Sequence, residues 1–318
     1  TNGKSQAMRL RGRATVTTVA AAFAIAATTA LASRAFSAEP TQASPPQRIV
    51  SINLCTDQLL VDLVAPERIA ALSRLAADPV LSAIADRAAG FKLVRGHAEE
   101  VLSLNPDLVL TSEYSTPHVV SLLRRVGINV VAVPMAGDID AIRAAIRKIA
   151  ASVGNTARGE VVIDAFDRRL AAAAPRSPLR PTALAYQVNS LTAGRGGLLD
   201  AALTAAGFRN AADERTLGPG ERLPLETFVA HPPDLVVLAN APDAFRTVMA
   251  DNLRHRAFRE TMARRRHVEI PMPLWLCGTP ALAQAVERLG AERSLLTRAA
   301  AGDDHGEAVR APASGVTQ

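Results

Sequence analysis

The chain has 318 residues, of which 48% are hydrophobic and 21% charged. That is ample for a sizeable core and too little charge for wholesale disorder. Aromatics make up 3%, which argues against a sugar-stacking or base-stacking surface. Lysine stands only at Lys4, Lys92 and Lys148, so the formal charge of +6 rests on arginine.

The excess charge sits at the front. Met8-Arg-Leu-Arg-Gly-Arg13 precedes an uncharged Ala/Thr/Val-rich run from Ala14 to Ser33. This is the layout of a secretory signal. It predicts translation from Met8, residues 1–7 as an upstream over-read, and a signal peptide over residues 1–35. Small-x-small cleavage sites end at Ala32 and Ala35. The alternative is an uncleaved anchor, for which the run is short and only mildly apolar. Cleavage after Ala32 removes Lys4, Arg9, Arg11 and Arg13 and no acid, taking the charge from +6 to +2. No basic run then remains for nucleic acid. A periplasmic, soluble, monomeric protein is expected.

The pattern that follows alternates strand and helix. After a Pro/Ser/Gln-rich entry, Arg48-Ile-Val-Ser-Ile-Asn53 reads as a buried strand. Thr56 or Asp57 can cap a helix over 58–64. Strands are predicted at 69–72, 107–111 and 128–133, with helices over 99–104 and 117–126. A helix opened by Asp138 is apolar at Ile139, Ile142, Ile146, Ile149 and Val153, a helical face. A second helix runs to Ala174 and spans roughly 28 Å. Pro175, Pro178 and Pro181 end it. Alternation then restarts: strand 182–188, helix 197–206, helix 225–230, strand 234–238, helix 253–263, strand 267–270 and helix 280–298. The fold class is α/β, with parallel sheets.

One comparison organises the chain. Glu99 precedes Pro106-Asp107-Leu-Val by the same seven positions as Glu226 precedes Pro233-Asp234-Leu-Val. In each block a short helix runs into a Pro-Asp turn and a buried strand. The repeat predicts two similar lobes with central parallel sheets, joined by one long α-helix. The expected boundaries are 48–154 for the first lobe, 155–175 for the linker helix and 176–300 for the second. A disordered tail is expected over 301–318.

These blocks, with Gly127-Ile-Asn-Val-Val-Ala-Val-Pro134, the Thr192-Ala-Gly194 turn and Ile270-Pro-Met-Pro-Leu-Trp275, resemble the periplasmic substrate-binding proteins of ABC importers for ferric siderophores, haem and vitamin B12. The resemblance covers roughly residues 48–298. It implies a ligand held between the lobes, delivery to an importer permease and its ATPase, no intrinsic cofactor and no catalysis. The bound ligand would be a cobalt or iron chelate, with haem as the alternative. It also implies docking of the permease by Glu99 and Glu226, one on each lobe, with Glu100 able to replace Glu99.

Parallel lobes bind ligands beyond the carboxyl ends of their strands. That rule selects Asn53, Leu54, Cys55, Thr56 and Asp57 in the first loop and Ser112, Glu113 and Tyr114 after the 107–111 strand. It selects Gln187, Asn189 and Arg195 in the second lobe, and Met272, Trp275 and Cys277 after the last strand. Asn53, Thr56 and Asp57 can equally be helix caps. The Tyr114 phenolate suits Fe(III), as in the family's haem binders; otherwise it is an exposed strand-end phenol. Arg195, in Gly194-Arg195-Gly196-Gly197, suits an anion or is a solvated loop residue. Trp275 is a packing wall, as the resemblance favours, or plain core. Cys55 and Cys277 lie too far apart for a local CxxC motif. They read as a bridge across the cleft mouth, as free thiols touching a soft metal, or as unrelated buried thiols. His97 and His231 fit no zinc spacing, and no P-loop or nucleophile-elbow motif is present. The rival of another class is a metal-cofactor enzyme on a similar scaffold, with the two cysteines as ligands. A structural envelope protein with a dead cleft is a third.

Overall fold

Short runs of residues, most of them apolar and two of them opened by a Pro-Asp turn, build two separate parallel sheets. The computed structural model describes residues 44–115, 117–239 and 250–307, with side chains to residue 300. The expected signal peptide lies outside the described residues.

In the first lobe β1 (Ile49–Ser51), α1 (Leu54–Leu63), β2 (Ile69–Ser73), α2 (Ala85–Ala88) and β3 (Leu93–Val94) lead into α3 (Ala98–Leu102) and β4 (Leu108–Ser112). Then come α4 (Pro117–Arg125) and β5 (Val130–Val133). The sheet order is β3-β2-β1-β4-β5, and every pairing is parallel. Helices α5 (Ile139–Ser152) and α6 (Thr156–Ala173) leave this lobe. The second lobe contains β6 (Thr182–Ala185), β7 (Leu191–Ala193), α7 (Leu198–Ala205), β8 (Arg209–Asn210), β9 (Pro219–Arg222) and α8 (Leu225–Ala230). It ends with β10 (Leu235–Leu238), α9 (Asp251–Arg254), α10 (Arg256–Arg264), β11 (Arg266–Glu269) and α11 (Leu282–Glu307). Its parallel sheet runs β11-β10-β6-β8.

The two sheets share one crossing order. β6 stands where β1 does, β8 where β2 does, β10 where β4 does and β11 where β5 does. The Pro-Asp turns explain part of this likeness. The Asp107 carboxylate accepts the backbone N–H groups of Gln47 and Arg48, at 2.6 and 3.0 Å. It pins the entry of β4 to the entry of β1. Asp234 accepts both the N–H and the hydroxyl of Thr182 at 2.8 Å, pinning β10 to β6. The same carboxylate does the same work at the same strand pair in each lobe.

The lobes are also packed together. A single apolar cluster includes Ile49 and Leu110 of the first sheet and Ala183 and Val237 of the second. Between them it takes in Ile146, Phe166, Val286 and Leu289 from α5, α6 and α11. Each lobe keeps a smaller cluster on its other side.

Several expectations shift. The first helix starts at Leu54 rather than residue 58, and its cap is neither Thr56 nor Asp57. Asn53 caps it, its side chain accepting from the N–H groups of Cys55 and Thr56. Asp57 is buried instead and accepts from Ser73. The helix expected over 253–263 breaks at His255, whose extended backbone ends α9 and whose ring caps α10. The last helix continues to Glu307, beyond residue 300 where a disordered tail was expected. Residues 308–318 lie outside the described residues. The two-residue strands β3 and β8 and the antiparallel β7–β9 ribbon were not predicted.

Candidate functional site

A cleft of about 660 Å³ opens at the carboxyl ends of the strands of both sheets. From the first lobe it takes Asn53, Cys55, Thr56 and Leu59 at the start of α1, Ser112 at the end of β4, and Val133 to Gly137 after β5. From the second it takes Gln187 after β6, the ribbon residues Leu191 to Ala193, Gly196 and Gly197 before α7, and Ala239 after β10. Met272, Trp275, Leu276 and Gly278 close it from the segment after β11. Register places Asn53 and Gln187 at equivalent positions, each two residues beyond the last paired residue of its central strand.

The polar atoms of this wall are largely committed to the fold. Asn53 caps α1, as described above. The Thr56 hydroxyl donates to the Asn53 carbonyl at 2.9 Å and shares a 2.8 Å hydrogen bond with Ser51. Gln187 accepts the Ala239 N–H through Oε1 at 3.2 Å. Its Nε2 and the Thr192 hydroxyl are buried without partners. Trp275 is half-buried and donates its indole N–H to the Ile270 carbonyl at 3.0 Å, which fixes the ring against the cleft.

Behind Thr56 lies Asp57. Burial pushes its carboxyl up to about 7, against the opposing pull of hydrogen bonds from Ser51 and Ser73. It does not line the cleft.

Cys55 and Cys277 are joined by a disulfide, with Cα atoms 5.1 Å apart. Among the three alternatives the geometry is that of the bridge. It ties the start of α1 to the segment after β11. Cys55 lines the cleft, while Cys277 is 1% exposed and lies behind the wall. Gly278, next to it, faces Ala136 of the first lobe so closely that a Cβ would stand 2.3 Å from the Ala136 Cβ. Only glycine allows that approach.

Besides Cys277, Tyr114 and Arg195 are expected site residues that stand outside the wall. Tyr114 is 77% exposed. Its loop is folded by two local hydrogen bonds, from the Tyr114 N–H to the Ser112 hydroxyl and from the Ser112 N–H to the Ser115 hydroxyl. These turn the phenol outward. Arg195 also stands outside the cleft, paired with Asp213 at 2.6 Å. Gly194 is pressed on the Leu217 carbonyl, where a Cβ would approach to 2.0 Å, and this contact helps hold the Arg195 loop against the Leu217 segment. Glu99 and Glu226 are exposed, in the first turns of α3 and α8. The strand-end rule, applied to β5 and β10 as well, would have found Val133 to Gly137 and Ala239.

The resulting wall is apolar. Among the described residues it contains no acidic, basic, imidazole or phenol side chain, and its one thiol is oxidised. Its soft atoms are the thioethers of Met135 and Met272. Also among the described residues, no group of three or more His, Cys, Asp or Glu side chains gathers as a metal site.

The family model described as "Periplasmic binding protein" matches residues 49–267. Cobalamin-binding proteins from two strains of Halobacterium salinarum are 30% identical over 205 residues, or 63% of this chain and 56% of theirs. The chain thus spans little more than half the length of these relatives. Among solved structures, the periplasmic heme-binding protein RhuT from Roseiflexus sp. RS-1 superposes with a TM-score of 0.63. It is 24% identical and covers 77% of this chain and 97% of its own. The periplasmic vitamin B12 binding protein BtuF of Vibrio cholerae has a TM-score of 0.59 at 16% identity, over 78% and 96% of the two chains. These two likenesses carry the fold.

Proposed function

This chain belongs to the periplasmic binding protein family, and from that premise we propose that it is an exported carrier which captures a cobalt corrinoid and hands it to an ABC importer. The observation that carries the choice of ligand is the uncharged wall of the cleft. Haem offers carboxylates and an open metal position, and an acidic ferric siderophore offers negative charge; each is met best by a basic, imidazole or phenol side chain. A corrinoid such as vitamin B12 carries neutral amides around its ring and its own axial base. It needs chiefly shape and apolar contact, with few polar partners, and this wall offers that. The name of the Halobacterium relatives supports the same reading.

Trp275 forms the stacking wall. Glu99 and Glu226 dock the permease, because the repeat sets one on each lobe and both carboxylates are exposed. Glu100 is the weaker candidate, since it accepts the Arg95 N–H at 2.8 Å. The partners are then the permease and its ATPase, and the site of action is the periplasm.

Trp275 is the single tryptophan, so intrinsic fluorescence reads the cleft directly. Titration with cyanocobalamin should quench it saturably. Hemin and ferric desferrioxamine should bind at least roughly tenfold more weakly, a difference of about 1.4 kcal/mol. Trp275→Ala, followed by calorimetry, should cost at least about 1 kcal/mol of corrinoid affinity. Tight hemin binding with a shifted Soret band, and none of cyanocobalamin, would replace this reading with the haem one.

A further inference from the structure

A second cavity, of about 500 Å³, shares no residue with the cleft. It lies between the carboxyl end of α6, at Ala173, and one face of α11. Three guanidinium groups line it: Arg176, Arg293 and Arg298. Arg293 is only 4% exposed. Its Nη2 donates to the carbonyls of Ser177 and Leu179, at 2.6 and 2.9 Å, and its Nε is buried with no acceptor. Arg176 and Arg298 are exposed.

Among the described residues no carboxylate is free to answer this charge. Glu287 also lines the cavity, but both its oxygens are held by Arg169, at 2.7 and 2.8 Å. Among the described residues no ion pair engages Arg176, Arg293 or Arg298. A guanidinium buried without a counter-charge is costly, and two more beside it repel it. Such a cluster is stable where an anion completes it. The planar donor fork of arginine matches the oxygens of phosphate and carboxylate.

We propose that this cavity binds a small multivalent oxyanion, carrying two or more phosphate or carboxylate groups. The binding is independent of the cleft and of the ligand assigned to it. Arg293 is the fixed base of the site, anchored through two backbone carbonyls. Arg176 and Arg298 supply mobile clamps.

The test uses the full chain, with pyrophosphate and citrate as separate probes, in isothermal calorimetry and thermal unfolding at low salt. The comparison protein is Arg176→Gln/Arg298→Gln, whose changes fall on exposed side chains and leave Arg293 in place. At least one probe should bind with a single site and raise the melting temperature above a sodium chloride control of equal ionic strength. The double variant should lose on the order of tenfold or more in affinity, with its quenching by cyanocobalamin unchanged. Preference for pyrophosphate or for citrate identifies the anion as phosphate or carboxylate. Absence of binding by both probes would overturn the site. So would equal binding by the double variant, which would reduce the effect to nonspecific charge screening.

Discussion

Asp57 is a carboxyl held away from water behind the cleft wall, with its proton retained to about 7. Its ordinary value is near 4, so the folded state binds the proton more tightly than the unfolded chain does. The sign follows from linkage. The contribution to stability is complete below about pH 4, declines as pH rises, and is exhausted above about pH 7. Urea unfolding should therefore show a loss of about 2 kcal/mol between pH 5 and pH 8 that Asp57→Asn removes. The variant can keep the Ser73 contacts, because an amide accepts from the Ser73 N–H and donates to its hydroxyl. Parallel pH profiles for the two proteins would mean that the charge is tolerated where it stands. Asp57 was legible in the sequence as a cap or a loop residue of the cleft, because Ser73, which donates to it through both its N–H and its hydroxyl, lies on β2 and is distant in the chain. Asn53 was read as either a cap or a ligand contact. The structure shows the cap and places the residue in the cleft wall as well.

At the level of elements, the paired Pro-Asp turns carry the symmetry of the molecule. Each carboxylate accepts neighbouring backbone or hydroxyl donors at the entry of a central strand. Asp107→Ala and Asp234→Ala should each cost about 1–3 kcal/mol, since the donors they leave lose a charged acceptor. Both turns sit at the amino ends of the strands, opposite the cleft, so corrinoid affinity should be unchanged. Chemical denaturation and fluorescence titration together check this, and a weakened cleft with intact stability would contradict it. This much of the fold could be read from the chain because proline, aspartate and apolar runs act locally. The ribbon of β7 and β9 could not. Its second strand is Pro-Gly-Glu-Arg, all four residues exposed, with no hydrophobic alternation to signal it. β3 and β8 have two residues each, below any periodicity. The ribbon supplies Leu191 to Ala193 and Pro219 to the cleft, so that part of the site was missed with it. Tyr114 and Arg195 stand outside the wall for a related reason. Loop position is visible in a sequence, but the direction a loop turns its side chains is set by hydrogen bonds it forms only when folded.

Over the whole molecule, the bridge between Cys55 and Cys277 closes a loop with a sequence separation of 222 residues. Chain entropy sets an upper bound of about 5 kcal/mol on its stabilisation. The double variant Cys55→Ser/Cys277→Ser should lose about 2–5 kcal/mol in denaturant, and reductant should destabilise the parent protein alone. Thiol counting on denatured, unreduced protein should find none free; two free thiols would remove the bridge.

The bridge also decides which motions the lobes retain. Two bodies joined at a single pivot can rotate about three axes. Here the chain passes from one lobe to the other through α5 and α6, and the sulfur pair fixes a second point. Two pivots leave one rotation, about the line that joins them. Any widening of the cleft that keeps the bridge is then a swing about that line, and twisting of one lobe over the other is removed.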